Sequence, residues 1–332
     1  MALENSNDRA QLDVIGLGNA IVDVIAYADD PQLDQLELVK SAMTLVDEER
    51  SAFLYSNMNP AREISGGSCA NTMAAMADLG SKAAYIGRIK DDELGRVFAH
   101  DIKATGVDFI NAPAAAGPST ARSLIFVTPD AQRTMQTYLG ACVELAPDDV
   151  DEARVAAAKI TYLEGYLWDR PEAKAACLKA AGIAHKNGNQ LALTLSDSFC
   201  VDRWRGEFLD LIDKHVDILF ANEAEILSLY ETEDLTTAVD RIAGQVAIAA
   251  ITRSEHGSII THGSGRHTIP ATKPDRLLDT TGAGDLYAAG VLHGIAQGWD
   301  LPAAGLLGSK CATSIIAQYG ARSEQPLAKL IN

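Results

Sequence analysis

Basic residues are scarce in this 332-residue chain: 28 Lys and Arg stand against 45 Asp and Glu, a formal net charge of −17. Such a field repels polyanions, which argues against a broad nucleic-acid or anionic-membrane surface but leaves room for a local basic pocket. No run of about 18 apolar residues occurs, so no membrane-spanning helix is expected. The start, MALENSNDRA, lacks a basic segment followed by an apolar one, and no secretory signal is expected there. Cysteine is sparse: Cys69, Cys142, Cys177, Cys200 and Cys311 are odd in number, widely spaced and form no C-x-x-C pair. That argues against a disulfide framework or a zinc site and fits a reducing cytoplasm, with each thiol a small buried hydrophobe. The phosphate-loop spacing G-x-x-x-x-G-K-[ST] is missing, as are a protein-kinase catalytic loop and H-E-x-x-H. The seven histidines form no metal-spaced cluster. There is no internal repeat, and residues 112–117 (APAAAG) come nearest to a linker.

What is present fits a folded α/β protein. Hydrophobic residues make up 47% and charged residues 22%, ordinary for a globular chain. Short apolar runs at Val14–Leu17, Ala83–Ile86, Ile160–Leu163, Leu191–Leu195, Ile218–Phe220 and Val246–Ile251 read as strands. Helical patterns lie between them, at Asn71–Leu79, Glu172–Lys186, Arg203–Lys214, Glu223–Tyr230 and Thr236–Ala243. This alternation predicts a largely parallel sheet with helices on both faces. Two apolar helices, about 284–297 and 302–318, close the chain. Residues of about 28–64 and 109–140 break the rhythm with short strand-like pieces: Ala42–Val46, Ser123–Thr128 and Thr134–Leu139. The last two read as a hairpin across the four residues 129–132. These segments form either a small antiparallel flap over one end of the sheet or ordinary edge strands. The length suggests roughly two units by domain-size priors; one large α/β unit with a small lid fits better than two equal domains.

The strongest motif is Asp279-Thr280-Thr281-Gly282-Ala283-Gly284-Asp285, directly before an apolar helix. A glycine-rich loop feeding a helix start gathers backbone N–H groups and the positive end of the dipole around one point, which suits an anion. Asp285, in the first turn, can take a proton from an attacking hydroxyl. Gly66-Gly67-Ser68-Cys69-Ala70-Asn71-Thr72 also opens a helix, either as a ligand-touching turn with Asn71 facing a polyol or as a plain turn capped by Ser68. Gly16-Leu17-Gly18-Asn19-Ala20-Ile21-Val22-Asp23 looks like a dinucleotide fingerprint but has Ile21 in place of the third glycine, which weakens NAD. Asn19 and Asp23 read instead as polar groups at the carboxyl end of a strand, Asp23 able to hold a vicinal diol; a turn Asn and a solvated Asp are the plainer alternative. Asn222 and Glu225 share a helix face and can either hold hydrated Mg²⁺ or form a capping box. Arg133 can clamp a phosphoryl group or lie on the surface. Thr252–Gly257 (TRSEHG) is a weak nucleotide-loop candidate.

Together and in order, these motifs resemble the ribokinase-like (PfkB) carbohydrate and nucleoside kinase family, over nearly the whole chain. DTTGAGD and GGSCANT look like its two signatures, and Asp92–Gly95 (DELG) like its early pattern. Within the family, the adenosine kinase branch is the most similar. The resemblance implies a three-layer parallel sheet flanked by helices, with a small β-sheet lid, and an ATP- and Mg²⁺-dependent kinase of the 5′-hydroxyl of a ribonucleoside, most readily adenosine to AMP in purine salvage. It further implies that Asp285 is the base and Gly282, Ala283 and Gly284 the anion hole, with Arg133 closing from the lid. Asp23, Asn19, Gly66, Gly67, Ser68, Asn71 and Tyr166 would bind the acceptor. Thr194, Asn222, Glu225, Thr252, Gly257 and Thr281 would bind ATP and its phosphates, Glu225 reaching Mg²⁺ through water. Carbonyls near Asp279, Thr281 and Gly320 would suit a monovalent cation such as K⁺. Thr194 stands where adenosine kinases tend to carry Asn, and Tyr166-Leu167-Trp168 replaces their phenylalanine-rich segment. Cys69 stands where ribokinases often carry Lys, which points away from ribose. A sugar kinase for ribose, fructose or a related acid, and a ligand-binding regulator without turnover, are the alternatives. The expected partner is a small molecule, with neither nucleic acid nor membrane, in the cytoplasm, and the lid serves as a lone flap or a homodimer clasp.

Overall fold

The computed structural model describes residues 12–130 and 132–331; residues 1–11 (with MALENSNDRA), Ala131 of the hairpin loop and Asn332 lie outside the described residues. Two sheets organise the chain. The large one has nine strands, in the order Gly265–Ile269, Ser258–His262, Ile248–Thr252, Ile218–Asn222, Gln190–Thr194, Ala158–Glu164, Leu12–Leu17, Ala83–Ile86 and Asp108–Phe109. Every pairing is parallel except those of the first two strands, which form an antiparallel hairpin on one edge. A central strand such as Leu12–Leu17 is buried along its whole length, because helices cover both faces; its one polar residue, Asp13, is paired with Lys159 at 2.7 Å. One hydrophobic cluster gathers helix Ser68–Asp78 and the C-terminal pair Ala283–Ala296 and Leu301–Ile316; the other gathers Pro171–Lys186, Ser198–His215 and Leu235–Ala243. The five cysteines are buried and free. No helix among the described residues is long and apolar enough to cross a membrane.

The second sheet takes its strands in the order Met43–Leu45, Arg133–Tyr138, Ala121–Val127, Ile21–Tyr27 and Arg62–Gly66. It is not the purely antiparallel flap that its hairpin suggested. Ile21–Tyr27 runs parallel to Ala121–Val127, and Met43–Leu45 parallel to Arg133–Tyr138. Asp23 is not at the carboxyl end of a large-sheet strand but inside Ile21–Tyr27 of this second sheet, opposite Ile64 and Ser123. The chain leaves the large sheet after Leu17 and enters the small one at Ile21, so the single run from Gly16 to Asp23 joins the two layers.

Two further elements carry local signals in the sequence. Ser258–His262 and Gly265–Ile269 flank Gly263-Ser264, a two-residue glycine turn with Gly263 at φ 54°, a standard hairpin device. Helix Glu93–Ala104 is capped by Asp92, whose Oδ1 accepts the Gly95 amide at 2.8 Å and the Thr120 hydroxyl at 2.7 Å. A Cβ on Gly95 would lie 2.0 Å from the Lys90 carbonyl. The DELG pattern is thus a packing and capping device.

Candidate active site

The DTTGAGD loop enters helix Ala283–Ala296 through Gly282, its N-cap, at φ 78° and ψ 0°. That left-handed geometry favours glycine, and a Cβ there would also meet the Ala321 Cβ at 2.8 Å. At Gly284 an added Cβ would meet nothing within 4 Å, so the backbone faces open space. The Ala283 amide donates to Thr280 O at 3.2 Å, whereas those of Gly282, Gly284 and Asp285 have no acceptor among the described residues. The unpaired donors are therefore Gly282, Gly284 and Asp285, not Ala283. A pocket of about 260 Å³ lies before them, walled by Ser68, Thr194, Asn222, Glu225 and Thr252. Through Thr252, Thr280, Ala283, Gly284 and Tyr287 it continues into one of about 490 Å³, which reaches Gly257, Leu277 and Ile316. Gly257, at φ 77°, lets the turn approach the Ile269 carbonyl, 2.0 Å from where a Cβ would sit.

Thr281 turns away from this pocket. Its amide and hydroxyl donate to Asp279 Oδ1 at 3.0 and 2.8 Å. Arg133 Nη1 donates to the same hydroxyl at 2.9 Å, and Nη2 forms an ion pair with Asp279 Oδ2 at 2.8 Å. The amide of Gly320 also donates to Oδ2, at 2.8 Å. Asp279 thus ties Arg133, the first residue of strand Arg133–Tyr138, to the glycine loop. Its carboxylate already faces a guanidinium, which leaves its carbonyl, not its side chain, for a further cation such as K⁺.

The Asn222–Glu225 pair forms the capping box. Asn222 N and Nδ2 donate to Glu225 Oε2 and Oε1 at 2.9 and 2.6 Å, and Glu225 N donates to Asn222 Oδ1 at 2.8 Å. Glu225 nevertheless lines the phosphate-sized pocket, and burial pushes its carboxyl up to about 7. Among the described residues no group of three or more His, Cys, Asp or Glu side chains could hold a metal ion. Mg²⁺ fits here only as an ion carried by phosphates and water, with Glu225 beside it.

Opposite the glycine loop the groups change character. Asp285 Oδ1 accepts the Ser68 hydroxyl at 2.6 Å and Oδ2 accepts Asn71 Nδ2 at 2.9 Å. Ser68 is therefore not the helix cap; Gly67 holds that position without a side-chain bond. Burial raises the Asp285 carboxyl above its ordinary range, against the opposing pull of Ser68, Asn71 and Arg322. Asp23 lies across the Gly66 backbone, where a Cβ would come within 2.5 Å of its carboxyl group; a Cβ on Gly67 would lie 2.2 Å from the Asn19 carbonyl. Desolvation pushes Asp23 up to about 6, with Arg322 and Arg133 opposing. Asn19 and Asn71 are both buried, and the Oδ1 atom of each has no partner. The Nδ2 group of each is taken, by Glu164 and by Asp285 respectively, so each amide has a free acceptor. Asn19 thus lies in a loop, as the plainer reading has it, but buried and with its amide bonded to Glu164. Tyr166, 37% exposed, donates its amide to Ser196 Oγ at 3.3 Å and its hydroxyl to Ser196 O at 3.4 Å.

Two residues of this region were not visible in the sequence. Glu164, at the end of strand Ala158–Glu164 and 1% exposed, accepts Asn19 Nδ2 at 2.8 Å and Cys69 N at 2.9 Å. Burial pushes it up to about 7, with those bonds opposing and the Asp285 charge adding. Arg322, from the C-terminal segment, donates to Ser65 and Ala70. Neither sits in a motif.

Comparison with known proteins agrees with this arrangement. Residues 53–328 match the pfkB family carbohydrate kinase profile. A probable sugar kinase from Rhizobium etli CFN 42 is 52% identical, with a TM-score of 0.89, over 96% of this chain and 97% of that one. An adenosine kinase from Sinorhizobium meliloti is 51% identical, with a TM-score of 0.89, over 96% of this chain and 98% of that one. The 5-dehydro-2-deoxygluconokinase of Geobacillus thermodenitrificans (strain NG80-2) is 26% identical over 274 residues, covering 79% of this chain and 81% of that protein. Profile, fold and glycine loop together place the chain in the PfkB family of carbohydrate kinases, as an ATP-dependent phosphotransferase with an alcohol group of a small molecule as acceptor.

Proposed function

We propose that the chain phosphorylates the 5′-hydroxyl of a ribonucleoside, with adenosine giving AMP. The observation that carries this reading is the acceptor set opposite the glycine loop: the Asp23 carboxylate and the unpartnered Oδ1 atoms of Asn19 and Asn71. Acceptors without donors call for a ligand rich in hydroxyls, because a buried acceptor left unpaired costs about 1–3 kcal/mol. A ribose diol supplies them. Asp23 takes the diol, with Gly66 and Gly67 keeping the backbone close, and Asn19 and Asn71 orient the sugar. Asp285, gripped by Ser68 and Asn71, accepts the hydroxyl proton as the oxygen attacks the γ-phosphoryl group. The Gly282, Gly284 and Asp285 amides and the helix dipole stabilise charge on the transferring group. Thr194, Asn222, Thr252 and Gly257 line the path for the nucleotide; the hydroxyl at Thr281 serves Asp279 instead. Mg²⁺ arriving with ATP would neutralise phosphate charge beside Glu225. Arg133 reaches the phosphoryl group by leaving Asp279, so the small sheet acts as a lid whose closure excludes water.

A sugar kinase is the second reading. It draws on the 52% identity to a probable sugar kinase and on the partly exposed Tyr166, part of the segment that replaces the phenylalanine-rich one of adenosine kinases. ADP release with ATP and a panel of adenosine, other nucleosides, ribose and fructose separates the two. Faster turnover of a sugar than of any nucleoside overturns the nucleoside reading, and tight binding without turnover favours a regulator.

A further inference from the structure

Asp23, Asp285 and Glu164 surround the proposed acceptor site with acids, and the arginine nearest the glycine loop is taken up by Asp279. Enclosed carboxylates without a counter-charge take up protons and lose their acceptor character. Arg322 is a second arginine whose charge bears on Asp23. It comes from the segment after helix Leu301–Ile316 and is half-buried. Its fork reaches neutral oxygens: Nε donates to Ser65 O at 3.1 Å, Nη2 to Ser65 Oγ at 3.0 Å, and Nη1 to Ala70 O at 2.7 Å.

Both bonded residues lead into the site. Ser65 precedes Gly66, the glycine on which the Asp23 carboxyl rests. The Ser65 amide and hydroxyl both donate to Asp101 Oδ2 at 2.7 Å. Ala70 precedes Asn71, which holds Asp285. One guanidinium therefore bridges the strand end that packs against the Asp23 carboxyl and the first turn of the helix that carries Asn71, and its charge bears on Asp101, Asp23 and Asp285. We infer that Arg322 is a positioning residue, which holds the Gly66–Gly67 turn against the first turn of helix Ser68–Asp78 and supplies the shared counter-charge for Asp23 and Asp285. The inference rests on the acceptor role proposed for Asp23 and adds a residue from a distant segment. A lysine would keep the charge but not the three-bond fork. Beside Arg322 lies a cavity of about 370 Å³, with Asn71, Asp101 and Leu286 in its wall, large enough to admit a guanidinium ion when the side chain is cut back.

The test compares Arg322→Ala, Arg322→Gln and Arg322→Lys, assayed with Mg-ATP and adenosine. If the parent chain does not turn adenosine over, the nucleoside reading fails and the same comparison is run with ribose or fructose, so the two failures stay distinct. Removing one partner of an enclosed charge set is expected to lower kcat/KM by about 10²-fold or more in the Ala and Gln variants. Lys is expected to retain about tenfold more than Gln. Millimolar guanidinium is expected to restore Arg322→Ala saturably, with its thermal midpoint unchanged. Equal losses in Gln and Lys, absence of rescue, or rescue that only tracks a rising thermal midpoint would overturn the inference. If none of the three variants folds, Arg322 is a structural arginine and the inference is equally overturned.

Discussion

The two sides of the site differ in how they are made. The free donors proposed for the phosphate lie in one continuous string, Asp279–Asp285, as backbone amides at a helix start, with Thr194, Asn222, Glu225 and Thr252 only walling the pocket before them. The acceptor side is drawn from strand Ile21–Tyr27, the Gly18-Asn19 loop, the Gly66–Asn71 turn, strand Ala158–Glu164 and the Arg322 segment, and its free groups are acceptors. A phosphate is recognised by charge and by orphan N–H groups, which one loop can supply. A polyol is recognised by oxygens spaced to match its hydroxyls, which need several elements to converge. Asp285 belongs to both sides: its loop supplies the donors, while its carboxylate is held by Ser68 and Asn71.

The sharpest way to break this comparison is to remove the group the sides share. Asp285→Asn should lower kcat by about 10²–10⁴, the usual contribution of a general base, with little change in KM for either substrate. Steady-state kinetics check it, and near-normal turnover contradicts the assignment. Asp23→Ala should act on one side alone: KM for the acceptor rises about 10- to 100-fold, the weight of a charged hydrogen-bond acceptor, while KM for ATP holds. Parallel changes in both KM values would show that the sides are not separable.

Titration gives a third, smaller effect. Asp23 is pushed up to about 6 and Asp285 lies above its ordinary 3.8, and both must be ionised to accept hydrogen bonds or a proton. Accordingly, kcat/KM should fall as pH drops through about 6, read from a profile between about pH 5 and 9; a flat profile contradicts it. The smallest effect is on stability. Glu164, pushed from 4.5 to about 7, binds its proton more tightly folded than unfolded. Its contribution is full below the unfolded value and is lost as pH rises through about 7; Glu225 acts in the same sense. The thermal midpoint should therefore decline between about pH 5 and 7.5, and the decline should be shallower in Glu164→Gln. An identical slope in that variant removes Glu164 as its source.

The same contrast explains what could be read from the sequence. DTTGAGD was legible because its chemistry is local: glycines, a helix start and a carboxylate within seven consecutive residues. The parallel sheet was legible because its buried strands carry short, nearly continuous apolar runs separated by helical patterns. Asp23 reads as a polar residue close to a turn at the end of the first strand, yet belongs to the second sheet, because nothing in Gly16–Asp23 marks the crossing from one layer to the other. Ser68 reads equally well as a cap or as a ligand group, and only the approach of Asp285, more than two hundred residues away, decides it. Glu164 and Arg322 were illegible for the same reason. Each is an ordinary charged residue locally and gains meaning from tertiary neighbours alone.

The account stands most directly on the product formed from ATP and adenosine. Incubation of the chain with both, followed by chromatographic and mass-spectrometric identification, should give 5′-AMP and ADP in equal amounts, with 2′-deoxyadenosine a poorer acceptor because it lacks half of the diol. Formation of ADP only with a sugar such as ribose or fructose, and none with adenosine, would contradict it.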